Sequence, residues 1–108
     1  MTDWLPIRYR DFWDLPRAFV VEVDGELFLF DSPFDHDTDE YDTEYTVYLV
    51  PADLAERIDE VSWTDLGHRS ALVGRIPVDA VRFDQSRRRA VDKQAFAGIN
   101  RHSDSASE

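Results

Sequence analysis

The side chains best suited to chemistry crowd one stretch, residues 31–44, where seven of fourteen residues are Asp or Glu and none is Lys or Arg. Three of them have the 1-3-5 spacing of a calcium-binding loop, namely Asp35, Asp37 and Asp39. The sixth position is Glu40, where the sharp turn of that loop needs glycine, and the twelfth is Thr46, where it needs a bidentate glutamate. No specific metal site is therefore predicted. Non-specific cation binding, with His36 adding a nitrogen ligand, is the lesser alternative.

A block of like charges cannot pack in a core and repels itself, so the same stretch is expected to be a solvated loop or an irregular edge, fixed to the domain by Phe34 and Tyr41. Tyrosine beside carboxylates is typical of protein-recognition surfaces, because a rigid ring buries apolar area at low entropic cost. The sequence thus predicts a docking surface for a basic partner protein, formed by Asp35, Asp37, Asp39, Glu40, Tyr41, Asp42 and Glu44.

Catalytic motifs are missing from the sequence. The histidines are His36, His68 and His102, with no i, i+4 pair among them, and there is no HExxH, G-x-S-x-G, P-loop or G-x-G-x-x-G pattern. With 23 acidic residues some pair of carboxylates is nearly guaranteed, so such a pair carries little information. No enzyme activity, metal or cofactor is therefore predicted. The alternative is a small enzyme assembled from scattered residues, with His36 or His68 as the general base, since only histidine titrates near neutral pH unperturbed.

A run of three arginines, residues 87–89, forms a basic patch with Arg82 and Lys93. The patch can contact an anion, or it can pair with the chain's own carboxylates, which include Asp79, Asp84 and Asp92. The net charge of −11 opposes a polyanionic ligand, so internal pairing is favoured.

Composition bounds the class of protein. The 108 residues suit a single domain over residues 1–98, followed by a polar tail, 99–108, that is expected to be disordered. The chain has no cysteine, which excludes disulfides and thiolate ligands and fits a reducing cytoplasm. No apolar run long enough to span a membrane and no secretory signal pattern occur, so a cytoplasmic protein is expected. The net negative charge repels nucleic acid and anionic membranes and attracts basic proteins, with solubility alone as the alternative explanation.

The element that must position these side chains is a hairpin over residues 18–34, AFVVEVDGELFLFDSPF. Asp24-Gly25 between alternating apolar residues is the strongest short-range hairpin signal, since a type I′ turn needs positive φ at both central positions. The predicted pairs are Val23 with Glu26, Val21 with Phe28, and Phe19 with Phe30. Both faces of this hairpin carry apolar residues, so we expect cover on both sides, from other strands or from a helix.

Elsewhere alternation predicts further strands, over residues 6–13, 44–50, 71–76 and 87–91. Apolar residues recur at helical spacing over 53–61, with a capping box at Asp53 and Glu56, so a helix is predicted there. The fold class is α+β, an antiparallel, curled sheet of about five strands with one main helix packed on it. For the aromatic residues the sequence predicts burial of Trp13 and Trp63 and exposure of Tyr41.

In general character the chain is small, cysteine-free, strongly acidic and without catalytic motifs, and in this it resembles bacterial immunity proteins and antitoxins. The resemblance implies a non-catalytic inhibitor that docks its acidic loop on a toxin whose active site is basic because it handles nucleic acid or nucleotides. A third alternative is a structural or regulatory subunit in which a partner's strand pairs with the hairpin edge, as the two-sided apolar pattern allows.

Overall fold

The hairpin predicted from the sequence lies at the centre of the fold. In the computed structural model, which describes residues 4–85, 87, 89–98 and 100–101, strand β2 (Pro16–Val23) pairs with strand β3 (Glu26–Asp31). Asp24 and Gly25 both have positive φ, 53° and 83°, as a type I′ turn requires. The predicted register is confirmed, with the pairs Val23–Glu26, Val21–Phe28 and Phe19–Phe30.

This central hairpin (β2–β3) belongs to a larger antiparallel sheet. The other strands of the sheet are β1 (Trp4–Phe12), β6 (Glu44–Val50), β7 (Ala71–Pro77), β8 (Ala90–Asp92) and β9 (Asn100–Arg101). Their order is β8-β1-β2-β3-β6-β7-β9. The prediction of about five strands fits the five long strands of the described sheet. The described sheet also has two short edge strands: β8, whose three residues overlap the strand predicted over 87–91, and β9, whose two residues were not predicted as a strand.

The sheet is curled but open. If it were flat, its edge strands β8 and β9 would lie about 29 Å apart, because neighbouring strands are separated by about 4.8 Å. The chain joins these two edges through a 3₁₀ helix, Lys93–Gly98, whose six residues span about 12 Å. The edges therefore approach each other across one face of the sheet. Within the described residues β8 and β9 do not pair, so the curl does not close into a barrel.

Apolar layers cover both faces of the central strands, as the sequence predicted. On the first face the rings of Phe19, Phe30 and Tyr45 are fully buried, and the 3₁₀ helix closes the layer through Phe96, which contacts Phe28 and Phe30 edge-on. On the second face a helical segment packs on the sheet, and the buried residues are Val20, Leu29, Val50, Leu54, Ile58 and Leu66. Burial on both faces makes the central hairpin the most protected part of the molecule.

The helical segment fits the prediction of one main helix over 53–61 only in part. It consists of α1 (Ala52–Ala55), a series of turns, and α2 (Trp63–Arg69). Within these described residues α1 has no side-chain cap, because Pro51 occupies the N-cap position and places Asp53 inside the first turn. After α1 the N–H groups of Arg57 and Glu60 donate to carbonyls three residues back, and that of Val61 donates four residues back, so turns follow one another until a helix resumes at α2. The helical spacing therefore identified the buried residues correctly but not the continuity of the helix.

The remaining elements are short. A bulge in β7 at Val73 lies next to Gly74. The carboxylate of Asp92 accepts the backbone N–H of Gln94 at 3.0 Å and so caps the 3₁₀ helix. Two further elements lie outside the large sheet: a 3₁₀ turn, Val78–Ala80, and a two-stranded ribbon of β4 (Phe34–Asp35) and β5 (Glu40–Tyr41).

The C-terminal part differs from the predicted returning arm over 87–91, because the strand there begins only at Ala90. Of the tail predicted to be disordered, residues 99 and 102–108 lie outside the described residues, whereas Asn100–Arg101 form β9 against β7. No helix in the described part of the chain is long and apolar enough to cross a membrane.

Candidate functional site

The acidic stretch is an ordered ribbon, which we call the acidic hairpin (residues 34–41). Its paired residues are Phe34 with Tyr41 and Asp35 with Glu40. In the turn, Asp39 has a positive φ of 59°, and the Asp35 carboxylate accepts the backbone N–H of Asp37 at 2.9 Å. The predicted solvated loop is thus a built structure, and four of its carboxylates are exposed to solvent, those of Asp35, Asp37, Asp39 and Glu40.

Aromatic contacts fix the acidic hairpin to the sheet. The rings of Phe34 and Tyr41 meet with their centroids 5.0 Å apart, and the Tyr41 hydroxyl donates to the Asp11 carboxylate at 3.3 Å. The guanidinium carbon of Arg17 lies 4.8 Å from the centroid of the Tyr41 ring. These contacts leave Tyr41 half-buried, so the prediction that it is exposed is wrong. Its ring anchors the acidic hairpin.

Arg17 joins three segments at this corner of the sheet. Its guanidinium donates to both carboxylate oxygens of Asp14 at 3.0 Å, to the Ser32 hydroxyl at 3.3 Å and to the Asp42 carbonyl at 3.4 Å. The Ser32 hydroxyl donates to the same carbonyl at 2.8 Å. Because the Arg17 side chain is only 12% exposed, this bidentate pair stabilises more than an ordinary surface ion pair does. The role of Arg17 in joining these segments was not predicted from the sequence. The one feature that could have indicated it is a single charged residue in an otherwise apolar strand.

Trp13 projects from the connection between β1 and β2. The sequence predicted its burial, but its side chain is 72% exposed. Strand β1 ends at Phe12, and a tight turn, in which the Trp13 N–H donates to the Leu15 carbonyl at 3.2 Å, carries the ring away from the sheet. Trp63, also predicted to be buried, is half-buried, and the Arg10 guanidinium carbon lies 4.8 Å from the centroid of its ring.

An open cleft of about 720 Å³ runs between Trp13 and the acidic hairpin. The residues that line it are Trp13, Asp14, Arg17, Phe34, Asp39, Glu40 and Tyr41. Arg17 brings a positive charge to the cleft, but the Asp14 carboxylate balances it at 2.9 Å. The cleft therefore combines aromatic side chains with Asp39 and Glu40, neither of which forms an ion pair within the described part of the chain.

Five of the seven predicted partner-binding residues lie together on the acidic hairpin: Asp35, Asp37, Asp39, Glu40 and Tyr41. The other two lie further along the chain, towards the sheet. Asp42 is exposed, and its carboxylate accepts the N–H of Glu44 at 3.0 Å. Glu44 begins β6 and lies 3.8 Å from Arg75, so its charge is partly balanced. Glu44 is for this reason the member of the set least suited to a partner.

Negative charge also accumulates at the end of β3, next to the acidic hairpin in the chain. Burial raises the pKa of the Asp31 carboxyl, and the charges of Asp11 and Asp42 raise that pKa further. In the sheet register Asp11 and Asp31 lie on either side of Ala18. Among the described residues the Asp31 carboxylate has no hydrogen bond or ion pair to offset this repulsion. Burial and the two neighbouring carboxylates therefore both disfavour the ionised form of Asp31.

The histidines considered as general bases are dispersed. His36 is exposed on the acidic hairpin, with its ring centroid 5.0 Å from that of Phe34. His68 is exposed on α2, and His102 lies outside the described residues. Within the described part of the chain no group of three His, Asp or Glu side chains is arranged to hold a metal ion.

The two described residues of the arginine run, Arg87 and Arg89, precede β8 and belong to no strand. Arg87 has a positive φ of 58° and precedes β8, and its guanidinium donates to the backbone carbonyl of Asp14 at 3.2 Å. Arg87 thus makes a contact within the chain, as predicted from the net charge. Its acceptor, however, is a backbone carbonyl and not a carboxylate. Arg88 lies outside the described residues, so its pairing with the chain's own carboxylates stays a prediction.

Comparison with protein-family models, with curated proteins and with solved structures finds no match to this chain. The resemblance to immunity proteins and antitoxins therefore rests on size, composition and charge alone. The function of the site has to be inferred from its own geometry and electrostatics.

Proposed function

We propose that this protein is a non-catalytic binding domain that docks its acidic hairpin on a basic surface of another protein. The main support is the fixed presentation of uncompensated charge. Asp35, Asp37, Asp39 and Glu40 are exposed, and within the described residues none of them takes part in an ion pair. The contacts of Arg17 hold these carboxylates in place before any partner arrives. A preformed surface loses less conformational entropy on association than a free loop does.

Charge favours a basic protein over other classes of partner. The net charge of −11 repels nucleic acid and attracts cationic surfaces at long range, which speeds their encounter at low salt. At short range an approaching cation relieves the repulsion among Asp11, Asp31 and Asp42. A cationic side chain of a partner brought close to this corner therefore favours the ionised form of Asp31.

The partner we propose is a toxin-like enzyme with a basic active site, which this domain inhibits as an immunity protein or antitoxin does. This part of the proposal rests on the resemblance in size and charge. A cytoplasmic location likewise rests on the cysteine-free sequence. An inhibitor of this kind acts by covering the partner's site and needs no catalytic group of its own.

Two alternatives have less support. An enzyme would use His36 or His68 as a general base, but both are exposed, and no contact among the described residues joins either of them to a buried carboxylate. A structural subunit that accepts a partner's strand at the central hairpin meets a different obstacle. Both strands of that hairpin already pair on both sides, β2 with β1 and β3 with β6, so their edges are occupied.

Affinity capture from the lysate of the source organism, at low and at high salt, tests the proposal. We expect one basic protein to be retained at low salt and released at high salt, because screening weakens the attraction between opposite charges. Recovery of no protein at either salt contradicts the proposal. Equal retention at both salts contradicts its electrostatic mechanism.

A further inference from the structure

Trp13 is the most exposed large apolar side chain in the described part of the chain, at 72% against 45% for Trp4. Its indole makes no hydrogen bond and no ring contact with any described residue. It borders the cleft that Asp39 and Glu40 also line. An exposed aromatic ring beside uncompensated charge is typical of a binding surface, and tryptophan is prominent among residues that dominate binding energy.

In two other places in this protein, an aromatic ring beside oxygen acceptors holds an arginine side chain. The Arg10 guanidinium lies over the Trp63 ring and also donates to the Val61 carbonyl at 3.2 Å. The Arg17 guanidinium lies over the Tyr41 ring and also donates to the Asp14 carboxylate. In both places an arginine is held by one aromatic face and by oxygen acceptors at its edge. Trp13 offers an aromatic ring in the same cleft as Asp39 and Glu40, whose carboxylates form no ion pair with any residue that the structure describes.

We propose that this cleft binds an arginine side chain of the basic partner, an inference that rests on the proposed function. The indole of Trp13 packs on the face of the incoming guanidinium, and the carboxylates of Asp39 and Glu40 accept its N–H groups. Arginine fits better than lysine, because its planar fork can stack on a ring and donate at its edge at the same time. Two arginines of the chain already lie beside this cleft, and both are engaged: Asp14 balances the charge of Arg17 at 2.9 Å, and the Arg87 guanidinium donates to the Asp14 carbonyl at 3.2 Å.

NMR of the intact ¹⁵N-labelled protein tests this assignment with defined probes. The probes are the peptide acetyl-Gly-Arg-Gly-amide and its analogues in which lysine, or citrulline as the uncharged isostere, replaces arginine. We expect a saturable shift of the Trp13 indole N–H with the arginine peptide, a weaker response to lysine and none to citrulline. Trp4, the other exposed tryptophan, is the internal control. Equal shifts of Trp4 and Trp13, or equal responses to arginine and to either analogue, overturn the assignment.

Variants separate the aromatic face from the apolar bulk. Trp13→Leu keeps an apolar side chain but loses the aromatic ring, so the dissociation constant for the arginine peptide should rise about fivefold. Trp13→Phe keeps a smaller ring and should raise it about twofold. The backbone amide signals of Asp39 and Glu40 report the binding. Asp39→Asn with Glu40→Gln should also weaken binding, whereas Asp53→Asn with Glu56→Gln, the matched control on the helical segment, should not. Unchanged affinity in Trp13→Leu contradicts the inference. Because Trp13 is exposed, these variants should fold, which circular dichroism verifies.

The inference and the proposed function fail in different ways. In one outcome the captured partner no longer binds once the acidic hairpin is neutralised, yet it binds Trp13→Leu as tightly as Trp4→Leu. The acidic hairpin then docks its partner without using this cleft, and the inference is wrong. If Trp13→Leu loses about fivefold in affinity and Trp4→Leu does not, the inference is supported. If neither change affects the partner, both proposals are wrong.

Discussion

The central hairpin and the acidic hairpin are both antiparallel ribbons whose turns include residues with positive φ, yet different forces hold them. The central hairpin has strands of eight and six residues and buries side chains such as Phe19 and Phe30 completely. The acidic hairpin has strands of two residues, and contacts from outside the ribbon, above all those of Arg17, hold it. One is stabilised by buried area, the other by a few polar and aromatic contacts.

This difference separates the stability of the fold from the presentation of the site. Burial of apolar area does not depend on the ionisation of a single group, whereas charge-assisted contacts respond to pH and salt. Changes in the central hairpin should therefore unfold the whole domain. Changes at the acidic hairpin should release the docking surface and leave the sheet in place.

The largest effect is expected from Phe30→Ala in the central hairpin. Phe30 is fully buried and packs against Phe19 with ring centroids 4.8 Å apart. Its removal therefore leaves a cavity in the apolar layer on the first face of the sheet. The free energy of unfolding should fall by about 3–5 kcal/mol in urea denaturation. Leu72→Ala, at an exposed position of β7, is the control and should change it by less than about 0.5 kcal/mol. A loss below about 1 kcal/mol for Phe30→Ala would show that this core is not what holds the domain.

A smaller and more local effect is expected from Arg17→Met. The substitution removes the bonds to Asp14 and to the Asp42 carbonyl while keeping an apolar stem, and should lower the free energy of unfolding by about 2 kcal/mol. Hydrogen exchange of the Asp42 amide, which donates to the Pro33 carbonyl at 2.9 Å, should accelerate more than that of amides in β2. Arg75→Met, which removes an exposed ion pair, is the control. Equal acceleration in both regions contradicts the division between fold and site.

The two turns provide a third comparison, because each contains a residue with positive φ. Gly25→Ala should destabilise the protein by about 1 kcal/mol, since an alanine is strained at φ 83° although no atom lies within 4 Å of the added methyl group. Asp39→Gly should be neutral or slightly stabilising, because it relieves the same strain in the acidic hairpin. Thermal unfolding measures the stability of both variants. If Asp39→Gly lowered the Tm as Gly25→Ala does, backbone strain at positive φ would not explain the two effects.

The smallest effect is expected from Asp31→Asn, and it depends on pH. Because burial and the neighbouring carboxylates raise the pKa of Asp31 in the folded state, stability falls as pH rises through that raised pKa. The variant should therefore have a slightly higher Tm than the wild type at pH 7, and the two should converge below the ordinary pKa of 3.8, where the group is protonated in both states. Glu22→Gln, an exposed carboxylate of the central hairpin, is the control. A Tm gain that is the same at pH 3 and pH 7 would show that charge is not its cause.

The same contrast explains what could be predicted from the sequence. The register of the central hairpin follows from Asp24-Gly25 and the alternation around it, signals that lie within a few residues of each other. The acidic hairpin depends on contacts that Tyr41 makes with Arg17 and Asp11, which lie 24 and 30 residues away in the chain. The sequence therefore predicted the charge of this hairpin and its two aromatic anchors, Phe34 and Tyr41, but not its strand pairing or the residues that Tyr41 contacts.

Trp13 and the helical segment were mispredicted for a related reason. The sequence places Trp13 at the end of the strand predicted over residues 6–13, whereas β1 ends at Phe12 and the turn that follows carries the ring outward. Helical spacing over 53–61 marks the buried face correctly. However, an N-cap at Pro51 and the turns that follow α1 divide the segment into α1 and α2. In both cases the local pattern was correct and the position of an element's end was not.

The most direct test of the central claim compares two variants that remove the same number of charges. One neutralises the acidic hairpin through Asp35→Asn, Asp37→Asn, Asp39→Asn and Glu40→Gln. The control neutralises exposed carboxylates of the helical segment through Asp53→Asn, Glu56→Gln, Glu60→Gln and Asp65→Asn. We predict that affinity for the captured basic partner falls roughly tenfold or more in the first variant and stays near the wild-type value in the second. Equal affinities of the two variants would show that the acidic hairpin is not the docking surface.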